Sequence, residues 1–231
     1  MDDGAGSRHD TGVQLTTFTI DSSLGHWTHS AWQPAHLAGI VEDMWHFAGK
    51  TTLPRERIFP GGFLEIILHL GPRFHDVDDT GARRGLFPLT CITGLQTGAA
   101  VIEAPAEPCC VLGIRLRPVG AYALFSHSIA ELTGLTVDLA DLAGSSAVAL
   151  AERCYAAPNV ECRFRLVDQW ISEQLRAAPR PDPGIAWAAG RLEASSGQGP
   201  IAPLYQNAGL GKTRFVERFR EQVGMTPKRY A

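Results

Sequence analysis

The chain has no apolar run of membrane-spanning length, no C-x-x-C pair and no G-x-S-x-G. A membrane-crossing helix needs about 20 consecutive apolar residues, so none is expected. Without a nucleophile elbow, or any nucleophile beside a recognisable base, a hydrolase triad has no support. Cysteine is sparse and odd in number: Cys91, Cys109, Cys110, Cys154 and Cys162. That count favours free thiols in a reducing cytoplasm over a disulfide scaffold. Charge is also low, at 19% of 231 residues with a net of −3. Indiscriminate nucleic-acid binding is therefore not expected, and any DNA contact must be local. The opening MDDGAGSRHD lacks the apolar core of a secretory leader. Residues 1–12, rich in Gly, Asp and Ser, are expected to be disordered.

What is present is 45% hydrophobic residues, enough to bury a core. Val13 to Ile20 is β-prone, and a looser stretch with Trp27 and Trp32 follows. Leu37, Ile40, Val41, Met44 and Trp45 fall at i, i+3, i+4, i+7 and i+8, which predicts an amphipathic helix. Arg55 to Phe59, the turn Pro60-Gly61-Gly62, and Phe63 to Leu70 read as strand, turn, strand. Further strands are expected in Arg73 to Val77, Leu86 to Thr93, Ala99 to Glu103 and Cys109 to Arg117. Turn signals about every ten residues suggest a β-barrel or sandwich. After Arg117 the period changes. Pro118 can start a helix through Phe125, and turns of helix are expected at Ile129 to Leu132 and Leu139 to Leu142. Ser145 or Ser146 can cap a helix through Tyr155, and Asn159 one to about Ala177 with a stripe of Phe164, Val167, Trp170, Ile171 and Leu175. Pro179 to Gly184 reads as a stiff linker, followed by a helix from Ile185 to Ala194. The predicted class is α+β: a β-rich domain over residues 13–143, a helical linker over 144–183 and a carboxy-terminal segment over 184–231.

That last segment carries the strongest pattern. Leu204 and Ala208 share a helical stripe, and Gly209 and Gly211 break it. Phe215, Phe219 and Val223 then recur every four residues on a helix from about Lys212, closed by Gly224. Two helices about a glycine turn form a helix-turn-helix, whose second helix can enter a DNA major groove. Residues 201–231 hold six bases and two acids, a net of +4 on a body of −7. A basic end on an acidic body is an electrostatic footprint for a polyanion.

The stretch AGLGKTRFVERFREQVGMTPKRYA resembles the first helix-turn-helix of the AraC/XylS family of bacterial transcription regulators. The carrying residues are Gly209, Phe215 and Phe219, then the tail of Gly224, Met225, Thr226, Pro227 and Tyr230. Upstream, Pro60 to Ile66, Gly94 to Thr97, and Gly113 to Pro118 with Gly120 resemble the sensor domain of some AraC-like proteins. The resemblance implies a cupin-like sensor for an unknown small-molecule effector, a helical connector and a DNA-binding module. It places Lys212, Thr213, Val216 and Glu217 at the bases of double-stranded DNA. Arg214 suits a guanine edge or a phosphate, and Lys228 and Arg229 suit phosphates. A homodimer is compatible with this reading; no cofactor, catalytic residue or membrane is implied. Four positions depart from the family pattern: Gly211 replaces the usual Ser cap, Tyr205 a small residue, Glu217 a common Arg, and Pro203 enters the first helix. The family module has two such units and this sequence ends after the first, so weak, salt-sensitive binding is expected.

The alternative is a ligand-binding or protein-interaction module whose terminal helices only pack against the barrel. His69, His75 and Glu65 invite a cupin metal reading, but their spacing is not the His-x-His pattern, and no metal site is assigned. Cys109 and Cys110 are adjacent, so they face opposite sides of a strand.

Overall fold

The computed structural model describes residues 15–177 and 180–231; the tail expected to be disordered, residues 1–12, lies outside them. The strands are β1 (Thr16–Ser22), β2 (Gly25–Trp32), β3 (Val41–Thr51), β4 (Arg55–Ile58), β5 (Leu64–His69), β6 (His75–Val77), β7 (Arg83–Leu86), β8 (Thr90–Thr93), β9 (Ala100–Glu103), β10 (Cys109–Leu116) and β11 (Thr136–Asp138). The helices are α1 (Pro118–Phe125), α2 (Ala140–Ala143), α3 (Ser145–Ala156), α4 (Val160–Ala177), α5 (Pro183–Ala194), α6 (Ala202–Asn207), α7 (Lys212–Val223) and α8 (Pro227–Tyr230). The fold is α+β, sheet-rich first and helical after. A seven-stranded sheet has the order β1-β2-β3-β10-β5-β8-β11 and a four-stranded sheet the order β4-β9-β6-β7. Every pairing is antiparallel.

Alternation along the central strands builds the main core. Leu112, Ile114 and Leu116 of β10 share a face with Leu64, Ile66 and Leu68 of β5, and all six are buried. Against them pack Leu124 of α1, Leu150 of α3, and Phe164, Val167 and Ile171 of α4. Each such side chain contributes roughly 1.5–3 kcal/mol on burial. The stretch read from sequence as a connector thus completes the core of the β-domain. Neither serine caps α3: Gly144 is its N-cap, and the Ser146 hydroxyl donates to Ala143 O at 2.8 Å. Asn159 does cap α4, its Oδ1 accepting from Cys162 N at 2.9 Å.

One expected element is corrected. No helix spans Leu37 to Trp45; a 3-10 turn at Ala35–Leu37 leads into β3. The register against β10 runs Arg115 to Asp43, then Leu116 to Val41, so Glu42 is the extra residue of a β-bulge. The bulge turns Val41 and Met44, three apart, onto the same buried face. A bulged strand therefore mimicked helical spacing. The loose stretch with Trp27 and Trp32 is also ordered, as β2.

All five cysteines are free, and no described helix is long and apolar enough to cross a membrane. Cys109 and Cys110 do face opposite sides of β10. Cys110 joins a part-buried trio in which Arg163 Nη1 of α4 donates to Nε2 of the buried His46 at 2.8 Å and Cys110 Sγ lies 3.2 Å from that nitrogen. Burial first, then the Arg163 charge, lowers the His46 pKa to about 4. The unfolded chain takes up this proton below about pH 6.5, whereas the folded chain resists it until about pH 4. Stability from His46 is complete above that upper value and falls by about 3 kcal/mol across the window. His29 and His69, also lowered by burial, act in the same direction, and Glu65, raised by burial, opposes them. Urea unfolding at pH 7 and pH 5 checks this: His46→Gln is expected to flatten the acid-side loss.

Candidate functional site

The carboxy-terminal helices form a second core of Ile185, Ala188, Ala189, Leu192, Leu204, Phe215, Phe219 and Val223. Asp182 caps α5, accepting from Gly184 N at 2.9 Å, and Pro183 occupies the first turn, where its missing N–H costs nothing. Gly184 allows close approach of the next helix pair, since a Cβ there would stand 2.9 Å from Ala208 Cβ. Pro203 sits in the first turn of α6, where it is tolerated. Helix α6 ends in a Schellman turn: Leu210 N donates to Tyr205 O at 3.1 Å, Gly209 N to Gln206 O at 3.0 Å, and Gly209 has φ +69°. Tyr205 fits by laying its ring against Phe215, 6.3 Å between centroids.

Helix α7 shows two different sides. Phe215 and Phe219 are fully buried, 5.7 Å apart. Lys212, Thr213, Arg214, Glu217 and Arg220 are exposed, and none is in an ion pair among the described residues. Val216, expected at the bases, is half-buried against the second core. Lys228 and Arg229 are exposed on α8. Arg218 and Glu221 turn elsewhere: Arg218 Nη1 lies 3.9 Å from Asp182, and Tyr122 OH of α1 donates to Glu221 at 3.5 Å. Glu221 thus belongs to the side facing α1. Gln222 is buried and its Oε1 accepts from Asp182 N at 3.0 Å, tying α7 to the start of α5.

The helical unit docks on the β-domain through polar contacts that periodicity does not reveal. Arg117 Nη1 donates to Glu193 Oε2 of α5 at 2.8 Å, its Nε donates to Ala38 O at 3.0 Å, and it pairs with Glu42. Tyr230 OH, which donates to Glu193 Oε1 at 2.7 Å within the helical unit, also lies 3.5 Å from Gly62 O of the β-domain. Thr133 Oγ1 donates to Gly224 O at 2.9 Å. The sequence signal was the alternation Arg115-Leu116-Arg117, which puts both guanidinium groups on one side of the strand end.

A second polar group lies on the face of the large sheet away from the helical core. Arg115 Nη1 donates to Asp43 Oδ2 at 3.1 Å, and Trp45 Nε1 donates to Glu65 Oε1 at 2.8 Å. Glu65, His69 and His75, weighed from the sequence as a metal trio and not assigned as one, do not assemble. Glu65 is taken up by Trp45 and Arg115, and His69 Nδ1 lies 3.1 Å from Pro88 O. Among the described residues no three His, Cys, Asp or Glu side chains are placed to hold a metal ion.

Residues 32–138 match a protein family described as a domain of unknown function, DUF6597. That match runs from the last residue of β2 to the last of β11. No curated protein matches the chain. Among solved structures it is similar to one titled "Crystal Structure of FeII HppE", at 10% identity and TM-score 0.34, over 50% of this chain and 62% of that one. It is also similar to Streptomyces albus HEPD with 2-hydroxyethylphosphonate and Fe(II) bound, at 9% identity and TM-score 0.30, over 97% of this chain and 50% of that one. The chain spans less than two thirds of either neighbour, and likeness at these scores assigns neither fold nor activity.

Proposed function

We propose that the chain is a DNA-binding transcription regulator of AraC type, with a cupin-like β-domain as its sensor. The observation that carries this is α7: two fully buried phenylalanines fix it to α5 and α6, while Lys212, Thr213, Arg214, Glu217 and Arg220 stay solvent-facing and unpaired. A rigid helix with a free basic side is what groove entry needs. Arg214 suits a guanine edge, Glu217 a cytosine amino group, and Lys212, Lys228 and Arg229 phosphates. An effector in the β-domain acts by shifting how the docked helical unit is presented. Gel retardation with the gene's own upstream DNA tests this. Binding is expected at low salt and is lost steeply as salt rises; Lys212→Ala and Arg214→Ala are each expected to flatten the log-log slope by about one unit. Failure to retard DNA at low salt, or retention indifferent to salt, counts against the reading.

A second reading has a specific observation behind it. The helical unit is clasped to the β-domain by Arg117, Glu193, Tyr230 and Thr133, as expected of an interaction module without independent DNA binding. Glu217→Arg separates the two. It removes phosphate repulsion and is expected to strengthen nonspecific DNA affinity; unchanged affinity favours the second reading.

A further inference from the structure

Among the described residues, β1 and β11 stand at the edges of the large sheet, and β4 and β7 at those of the small one. An edge exposes unpaired N–H and C=O groups, and natural edges are kept short or guarded by charge. Three of these strands follow that rule: β11 is three residues long, β4 reads RERI and β7 reads RRGL. β1 does not. It has seven residues, TTFTIDS, with no Lys, Arg or Pro, and its outer edge has no partner strand among the described residues. All of it except Ile20 is exposed, and half of Phe18 is open to solvent.

The register fixes which backbone groups face outward. Only Ser23 and Leu24 join β1 to β2, with Ser22 opposite Gly25. Across so tight a loop that pair exchanges both backbone hydrogen bonds, and by alternation Ile20, Phe18 and Thr16 also bond to β2. Thr17, Thr19 and Asp21 therefore turn their N–H and C=O groups to the open edge. In agreement, the Thr17 and Ser30 hydroxyls lie 2.8 Å apart, as the closer side chains of a non-hydrogen-bonded pair do. The strand is also self-complementary about Thr19. Laid antiparallel on a copy of itself, it sets Thr19 against Thr19, Thr17 against Asp21, and Phe18 against Ile20. Each outward-facing residue then meets another, so every free N–H of the seam finds a C=O. Phe18 and Ile20 fall at the positions where opposed side chains come closest, and an aromatic ring against a β-branched residue is a favourable cross-strand pair. Phe18 is already held in place, its ring stacked on His29 at 5.0 Å between centroids, and Ile20 stands opposite Trp27. The single charge of the strand, Asp21, meets a threonine and not its own copy. This match of β1 to its own reverse singles out a second copy of the chain as the partner.

We propose that β1 is a dimer seam: two copies pair β1 to β1 about a twofold axis at Thr19, joining their large sheets into one. The pairing needs only the β-domain and stands apart from the DNA-binding reading. A contact that uses the same strand on both copies closes at two. Sedimentation velocity of the full chain tests it. Between about 1 and about 100 µM, a monomer passing into a dimer is expected, with no larger species. Thr19→Pro is expected to weaken the dimer by about tenfold or more with circular dichroism unchanged, since the lost N–H makes no bond to β2. Thr19→Val, which keeps that N–H, is expected to dimerise as before. A monomer at every concentration overturns the proposal, as does a dimer that Thr19→Pro leaves unchanged. Should Thr19→Pro fail to fold, Phe18→Lys decides: it puts a charge in the seam and is expected to weaken the dimer by about tenfold or more, and unchanged dimerisation overturns the proposal. Hydrogen exchange separates a second copy from any other cover. The Thr17, Thr19 and Asp21 amides are expected to slow as concentration rises; equal protection at both ends of the range means that another segment of the same chain covers the edge, which overturns the proposal.

Discussion

Phe219→Ala is expected to melt the three carboxy-terminal helices α5, α6 and α7 while the large sheet stays folded. The second core is small, and Phe215 and Phe219 are its only aromatic side chains that are fully buried. The Phe219 ring touches Phe215 at 5.7 Å and Tyr230 at 5.8 Å between centroids, so its loss opens a cavity that α7 cannot close by itself. Truncating a buried Phe costs about 3–5 kcal/mol, a large share of what so few residues can supply. Loss of helical circular dichroism with retained tryptophan signal from the sheet, and loss of DNA retardation, are the expected readings. A variant with unchanged helix content and unchanged DNA binding contradicts the anchoring role.

The second large effect is Gly113→Ala. The added methyl has no space because the Trp45 indole lies on that position, and β10 is held between β3 and β5 so cannot withdraw. Overpacking of this kind costs about 3 kcal/mol and displaces the indole from Glu65. The atoms in the way are Cε2, Cζ2 and Nε1, all of them ring atoms that truncation at Cβ removes. In a Trp45→Ala background the same change is therefore expected to cost under about 1 kcal/mol, a coupling that a double-mutant cycle by urea unfolding measures. Equal costs in both backgrounds contradict the assigned contact.

The features legible in the sequence were local ones. Phe215, Phe219 and Val223 wrote the buried side of α7, Gly209 and Gly224 its boundaries, and Asn159 the start of α4. The nearly all-apolar run from Phe63 to Leu70 wrote a strand. Misreadings came where local spacing met tertiary geometry. Val41 and Met44 took helical spacing from a bulge that exists only because Glu42 is squeezed out of register with β10. The short β11 was missed because three residues hold no period, and β2 because Gly25, His26, Thr28 and Ser30 dilute its apolar face. The stripe of α4 was plain, but nothing in it says that its partner is the sheet. The polar group on the large sheet was not legible: Asp43 and Arg115 meet across 72 positions of sequence, and only the strand order joins them. Glu65 was weighed as a metal ligand and not assigned as one, and its true partners stayed hidden because Trp45 and Arg115 could not be placed beside it.

Amide hydrogen exchange of the full chain, with and without excess duplex upstream DNA at low salt, tests the central claim most directly. The outward side of α7 is expected to meet the DNA, so amides within residues 212–221 slow while those of the central strands β3, β5 and β10 do not change. Exchange in α7 that is indifferent to DNA, or slowing confined to the β-domain, contradicts it.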